Sequence, residues 1–331
     1  MLKKFNKALI IILLVVIICS LTGCKPKLDE MATACVILQI SDIHIKNDEA
    51  KDSKAYESIR GMIESVNPDL IVLTGDLTSE IDNMTAFQSF GTFIEAFEIP
   101  WAFTYGNHDG EGTATKQQLN DYLLSLEYCI YERGDESVDG YGNYYQNVNN
   151  ELGEAIISLI MMDSNMYGSN DSVSGYDKFH ENQIEWYENT IKAIANDVNG
   201  DEADVLPSLA FFQIPMTEYT AAYNIAKDSD TIIYGQRGEA ECSPYEDDLM
   251  FEKMVQLGST KGVFVGHDHM NDYSVMYEGI RLTYANSCDH NIFFVIRKGG
   301  TIINIKNNGS FTQQRIYKQI GGTEFIIDEE T

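Results

Sequence analysis

Between residues 36 and 105 the chain alternates short apolar runs with amphipathic segments, and this alternation restricts its fold more than any other feature. Val36 to Ile40 reads as a buried strand running into Ser41-Asp42. A helical segment follows, with Tyr56, Ile59, Ile63 and Val66 on one face, ending near Pro68. Leu70 to Leu73 is a second strand, arriving at Gly75-Asp76. A second helix carries Phe87, Phe90, Ile94 and Phe97 on its buried stripe and stops before Pro100. Trp101 to Tyr105 is a third strand, arriving at Gly106-Asn107. Such a β-α-β-α-β order argues for a largely parallel sheet covered by helices. Ligand sites in these sheets lie beyond the carboxyl ends of the strands, and polar residues stand at three consecutive strand ends here.

The remaining elements are coarser. Leu119, Tyr122, Leu123 and Leu126 suggest a helix, and Ala155 to Met162 a strand ending at Asp163. Ile184, Tyr187, Ile191 and Ile194 mark another helix. Leu209 to Phe212 and Val263 to Val265 are buried strands, and the second delivers Gly266-His267-Asp268-His269. Asn291 to Arg297 and Thr301 to Asn307 flank Lys298-Gly299-Gly300, a hairpin signal. With no repeat, low-complexity block or linker inside 36–320, one domain is the simplest reading of the 331 residues.

The ends differ from this body. Lys3, Lys4 and Lys7 precede an apolar run from Ala8 to Ile18, extended by Cys19, Ser20 and Leu21. A basic n-region followed by an apolar h-region of this length reads as a signal peptide, too short for a span of roughly 20 residues. It closes in Leu21-Thr22-Gly23-Cys24, which resembles the bacterial lipoprotein processing box. The resemblance implies a signal peptide over 1–23, a lipid anchor on Cys24, and residence on the extracytoplasmic face of the cell membrane. Residues 24–35 then form a tether, 36–320 the domain, and 321–331 an acidic peripheral tail. Net charge is −28, which disfavours nucleic acid and anionic headgroups as general partners. Bound metal reverses the sign locally, so phosphate chemistry survives this test. Cys35, Cys129, Cys242 and Cys288 contain no C-x-x-C pair, so a zinc–thiolate site is not expected. They are either free thiols or one of three disulfide pairings.

Four motifs carry the chemistry: Asp42-Ile43-His44, Gly75-Asp76, Gly106-Asn107-His108-Asp109 and Gly266-His267-Asp268-His269. Residues two apart at an extended strand end point to the same side, so Asp42 with His44, and His267 with His269, each place two donors in one pocket. Each glycine lets the chain turn sharply, so that the next side chain enters that pocket. A carboxylate such as Asp76 bridges two cations, imidazole suits zinc or iron, and carboxylate or amide oxygen suits harder ions. The mixed set fits paired metals.

In order and spacing the motifs resemble the calcineurin-like metallophosphoesterases from Val36 to about Asn307. The resemblance implies a four-layer α/β/β/α sandwich of two mixed β-sheets flanked by helices. It also implies two divalent metal ions, manganese, zinc, iron or cobalt. Asp42, His44 and His269 would hold the first, Asp76 would bridge, and Asn107 and His267 would bind the second. His108 would face the phosphate and aid departure of the leaving oxygen. Asp109 and Asp268 would fix imidazole orientation or stand as solvated loop carboxylates. The family places a further His where Phe211-Phe212-Gln213-Ile214-Pro215 has Gln213; its carbonyl oxygen is a poorer donor, so a weakened second site is expected. His180 and His290 lack matching context as substitutes. Purple acid phosphatases carry an iron-binding Tyr where Ser79 stands, so a purple centre is not expected. Asp163 either orients part of the pocket or caps a turn; Arg237 either binds phosphate or lies on the surface. The implied reaction is hydrolysis of phosphate mono- or diesters by metal-activated water, on small phosphorylated molecules or envelope polymers. The rival is a degenerate lipoprotein that binds such a ligand without turnover. Selectivity would lie in loops such as 134–150 and 168–177.

Overall fold

The computed structural model describes residues 28–168, 175–290, 297–319 and 321–328. The signal peptide and Cys24 lie outside them. Strand β1 (Thr33–Ile40) leads through helix α1 (Glu49–Val66) to β2 (Leu70–Thr74), and through α2 (Asn83–Glu95) to β3 (Trp101–Thr104). Asp48 caps α1, its carboxylate accepting from Ala50 N and Lys51 N. Helix α3 (Lys116–Leu123) then leads to β4 (Tyr144–Asn149) and β5 (Ala155–Met161). Next come α4 (Glu181–Asn199), β6 (Ser208–Phe211), α5 (Glu218–Asp228), α6 (Met250–Leu257) and β7 (Thr260–Val265). The chain finishes with β8 (Ser274–Tyr277), β9 (Ile280–Tyr284), β10 (Arg297–Lys306), β11 (Phe311–Gln319) and β12 (Ile326–Ile327).

The strands form two six-stranded sheets, ordered β12-β11-β10-β1-β2-β3 and β4-β5-β6-β7-β9-β8. β1, β2 and β3 run parallel, as do β5, β6, β7 and β9; β10, β11 and β12 in the first sheet and β4 and β8 in the second pair antiparallel. The expected sandwich of two mixed sheets with helices outside is therefore what the chain forms. Its layers follow from period-two alternation along strands buried on both faces. Leu209, Phe211 and Phe264 belong to the core shared with β1, β2, β3, α1 and α2. Their neighbours Ala210, Phe212, Val263 and Val265 belong to a second core with α4, α5 and α6.

Three boundary expectations are corrected. The tether assigned to 24–35 ends earlier, because Thr33 already pairs with Lys306 in β10. Lys298-Gly299-Gly300 is no turn; it lies inside β10, whose hairpin to β11 is closed by Asn307, Asn308, Gly309 and Ser310. The two glycines serve close packing, since a Cβ on Gly299 would collide with Ile316 O and one on Gly300 with Gln39 O. The acidic tail is not merely peripheral: β12 adds a short edge strand to β11, and Asp328 pairs with Arg315. That guanidinium also reaches the buried carboxylate of Asp272, 3.0 Å away. All four cysteines among the described residues are free thiols.

Candidate metal centre

Five loops meet at one end of the sandwich, each following the carboxyl end of a parallel strand: 41–45 after β1, 75–78 after β2, 105–109 after β3, 212–215 after β6 and 266–269 after β7. Parallel register keeps the strand ends level, and backbone bonds then continue between loops. Asp42 N donates to Gly75 O at 3.2 Å, and Ile43 N to Asp76 O at 3.0 Å. The second sheet joins where His267 N donates to both carboxylate oxygens of Asp42, at 3.0 and 3.1 Å. Gly266 is needed at this junction, because a Cβ there would collide with Ser41 Oγ. Four donor-bearing residues hold left-handed backbone conformations: Asp42 (φ 53), His44 (φ 52), Asp76 (φ 50) and His267 (φ 77).

The loops gather Asp42, His44 and His269 so that one ligand atom from each lies within 4.8 Å of the others. His44 Nε2 faces His269 Nε2 at 3.2 Å. His269 Nε2 is 3.6 Å from Asp42 Oδ1, and His44 Nε2 is 3.9 Å from Asp76 Oδ2. Ligands about 2.1 Å from one ion are separated by no more than about 4.2 Å, so these separations suit a shared cation. Asn107 Oδ1 and His267 Nε2 supply a second test. Both are buried and neither has a hydrogen-bond partner among the described residues. Leaving such an atom unsatisfied costs about 1–3 kcal/mol; a metal ion beside Asp76 would satisfy both. The residues therefore fit divalent metal, fully at the first position and with three donors at the second.

Electrostatics agree with ligation at His44 and His267; His269 differs, because burial is outweighed by the Asp42 carboxylate, which raises it to about 9, so a metal bound there would displace its proton. Burial alone would raise the Asp42 carboxyl, but His269 and His44 hold it well below the usual range. Burial lowers His44, with His269 opposite adding to the effect, and brings His267 down to about 4. Both imidazoles are thus neutral at pH 7, the form that binds metal. Burial and the Asp42 charge raise Asp76 to about 6.

Gln213 lies in the site, fully buried. Its Nε2 donates to Asp42 Oδ1 at 2.7 Å, and its Oε1 stands 3.2 Å from Ser41 Oγ. The carbonyl expected to replace the missing imidazole is engaged with a hydroxyl, because an amide N–H suits the carboxylate better than a second oxygen.

Asp109 and Asp268 also differ from expectation. Each braces backbone rather than an imidazole. Asp109 accepts from Gly106 N, Asp76 N and Thr78 N at 2.8–3.2 Å, locking two motif loops together. Asp268 accepts from Cys242 N at 3.2 Å and from the Tyr284 hydroxyl at 2.6 Å. Asp163 is buried, paired with Lys116 Nζ at 2.8 Å, and accepts from Asn165 N at a turn. Arg237 is tied to Glu241 at 2.6 Å. His180 bonds Asp139 and Asp177. Ser79 accepts from Lys46 Nζ at 2.8 Å.

His108 Nδ1 lies 2.7 Å from Glu111 Oε2, and its ring centre is 5.4 Å from that of His44. Burial opposes its charging, but Asp76 and Glu111 together raise its pKa. The other Glu111 oxygen accepts from the Tyr167 hydroxyl at 2.7 Å, and that hydroxyl accepts from Asn107 Nδ2 at 3.3 Å. Tyr176 sets its ring edge-on to His267, centroids 4.3 Å apart. Glu111, Tyr167 and Tyr176 were not among the residues singled out from sequence. Glu111 stands three residues after His108, a spacing that a single turn brings together; the tyrosines fall in or beside the 168–177 loop.

A family description, calcineurin-like phosphoesterase, matches residues 35–271. The protein named "Probable inactive purple acid phosphatase 14" of Arabidopsis thaliana is 30% identical over 288 residues, 77% of this chain and 70% of its own. "Probable inactive purple acid phosphatase 29" of the same plant is 27% identical over 286 residues, 78% of this chain and 72% of its own. Among solved structures, a dimetal phosphatase from Danio rerio aligns with a TM-score of 0.59 at 11% identity, covering 89% of this chain and 99% of that one; this likeness concerns the fold. By motif order, sheet topology and the extent of the family match, the chain belongs to the calcineurin-like phosphoesterase family.

Proposed function

We propose that this chain is a metal-dependent phosphoesterase that hydrolyses phosphate monoesters or diesters. One observation carries the reading: two buried, unsatisfied atoms, Asn107 Oδ1 and His267 Nε2, accompany a carboxylate–imidazole cluster spaced for a cation. Asp42, His44, His269 and Asp76 would hold a first divalent ion; Asp76, Asn107 and His267 a second, with Gln213 at its edge. Such ions, when bound, neutralise phosphoryl oxygens and bring the pKa of water from about 16 towards 7. Glu111 occupies Nδ1 of His108, so Nε2 is the atom left to protonate or hydrogen-bond the departing ester oxygen. The neighbouring carboxylate keeps that imidazole protonated to higher pH than usual, which suits an acid. Asp109 holds the Asp76 and Asn107 loops at fixed separation.

The same reading has the chain lipid-anchored through Cys24 on the extracytoplasmic face, supported by the processing box and basic leader in the sequence. There it would meet small phosphorylated molecules or phosphate-bearing envelope polymers. Among the described residues, no helix is long and apolar enough to cross a membrane.

The test is direct. Protein stripped with chelator and reloaded with manganese, zinc, cobalt or iron is assayed on chromogenic phosphate mono- and diesters. Metal-dependent turnover supports the proposal; no turnover with any metal and ester refutes it. The second reading, a phosphoester-binding protein without turnover, is favoured by the Gln213–Asp42 bond, and two relatives carry "inactive" in their names.

A further inference from the structure

We propose that Tyr167 and Glu111 form a two-residue positioning device, orienting Asn107 towards metal and His108 towards the leaving group. The inference rests on the phosphoesterase reading and deepens it. The chain of contacts is continuous: Asn107 Nδ2 donates to Tyr167 Oη at 3.3 Å, Tyr167 donates to Glu111 Oε1 at 2.7 Å, and Glu111 Oε2 accepts from His108 Nδ1 at 2.7 Å.

Each link has a directional consequence. An amide side chain has two faces, and the phenol oxygen engages the nitrogen face of Asn107. The oxygen face is thereby turned inward, where Oδ1 is buried and unsatisfied. The phenol can spend its single proton on Glu111 only, since its other contact is an amide donor. Glu111 is an acceptor on both oxygens. It therefore anchors the Nδ1–H of His108, leaving Nε2, which carries the second proton when the imidazole is charged, to act on the ester. One carboxylate and one phenol thus set a metal donor and a proton donor together. Tyr167 lies in a different loop from the other two, so the device also joins the 162–168 segment to the loop after β3.

The experiment uses the whole chain with zinc as probe, read by titration calorimetry and by long-range proton–nitrogen NMR of His108. Tyr167→Phe should weaken uptake of the second zinc equivalent about 10-fold and leave the first unchanged, the lower end of the 10- to 100-fold effect of partners behind metal ligands. Glu111→Ala should shift the neutral form of His108, read above its pKa, away from the Nδ1–H tautomer and reduce kcat about 10-fold with KM unchanged. Glu111→Gln, whose carbonyl still accepts from Nδ1, should restore most of both. Tyr167 is 46% exposed, so its loss should leave the melting temperature in place. An unchanged second equivalent in Tyr167→Phe, or an unchanged tautomer in Glu111→Ala, overturns the proposal. A wild-type chain that takes up one zinc only overturns the Tyr167 half and leaves the tautomer to decide the Glu111 half. Failure of every ester to turn over would refute the phosphoesterase reading, yet the isotherm and the tautomer would still judge this one.

Discussion

Gln213→His is the most informative single change, because its effect should depend on metal. Gln213 is fully buried, and its amide donates to the Asp42 carboxylate at 2.7 Å. A hydrogen bond to a charged group contributes about 1.5–3 kcal/mol, so in chelator the variant should be less stable by about 2 kcal/mol. With metal the imidazole becomes a fourth donor at the second position. Losing even a partner behind a ligand costs 10- to 100-fold in affinity, so a direct ligand is worth at least about 100-fold. Consider free metal equal to the wild-type second-site Kd. The wild type then gains about 0.4 kcal/mol and the variant about 2.7 kcal/mol. The deficit of about 2 kcal/mol should therefore nearly vanish. Urea unfolding with and without chelator, beside elemental analysis, measures it. The variant should carry two metals per chain and hydrolyse esters faster than wild type. An equal deficit in both conditions, with no additional metal bound, would refute the assignment of Gln213 to the edge of a second metal position.

Three further outcomes are expected. His108→Ala should slow kcat by about 10²–10⁴-fold, the usual range for a lost acid, with metal content unchanged; undiminished turnover removes His108 from the reaction. Gly299→Ala should destabilise by about 1–3 kcal/mol through overpacking against Ile316 O, and a melting curve that superimposes on wild type would contradict the packing described. Glu218 sits half-buried near Asp247 and Glu252, and burial, then those charges, raise its pKa from 4.5 to about 7. A carboxyl raised in the fold favours folding below its ordinary value, and that contribution is lost as pH climbs through about 7. Glu218→Gln should therefore flatten the fall in melting temperature between pH 5 and 8; parallel profiles for variant and wild type would exclude it.

The parallel β1–β2–β3 unit was legible because its strands are short apolar runs bounded by proline and polar residues, and its helices have one apolar stripe. β4, β8 and β12 were not. Tyr144–Asn149 and Ser274–Tyr277 are edge strands of mixed polarity, and Ile326–Ile327 is only two residues long. Gly299 and Gly300 misled because a glycine pair serves a tight turn and a close strand contact equally well. Motif residues converged at the strand ends, but not through the extended backbone expected of them, since Asp42, His44 and His267 are left-handed. What the spacing did not encode was direction: Asp109 turning to three amides, Gln213 offering nitrogen instead of oxygen, and Tyr167 reaching Glu111 from 56 residues away. These are decided by which neighbour folding delivers.

The left-handed postures of Asp42, His44, Asp76 and His267 have a wider meaning. Each costs an L-residue roughly 1 kcal/mol, so together they draw on the order of 4 kcal/mol from a fold whose whole margin is about 5–15 kcal/mol. Glycine would relieve that cost, but at Asp76 it would also remove the acceptor of His108 N, 2.9 Å away, so Asp76→Gly should gain little heat resistance in chelator while capturing cations worse. The geometry that would grip a metal is thus maintained against the thermodynamic slope of folding.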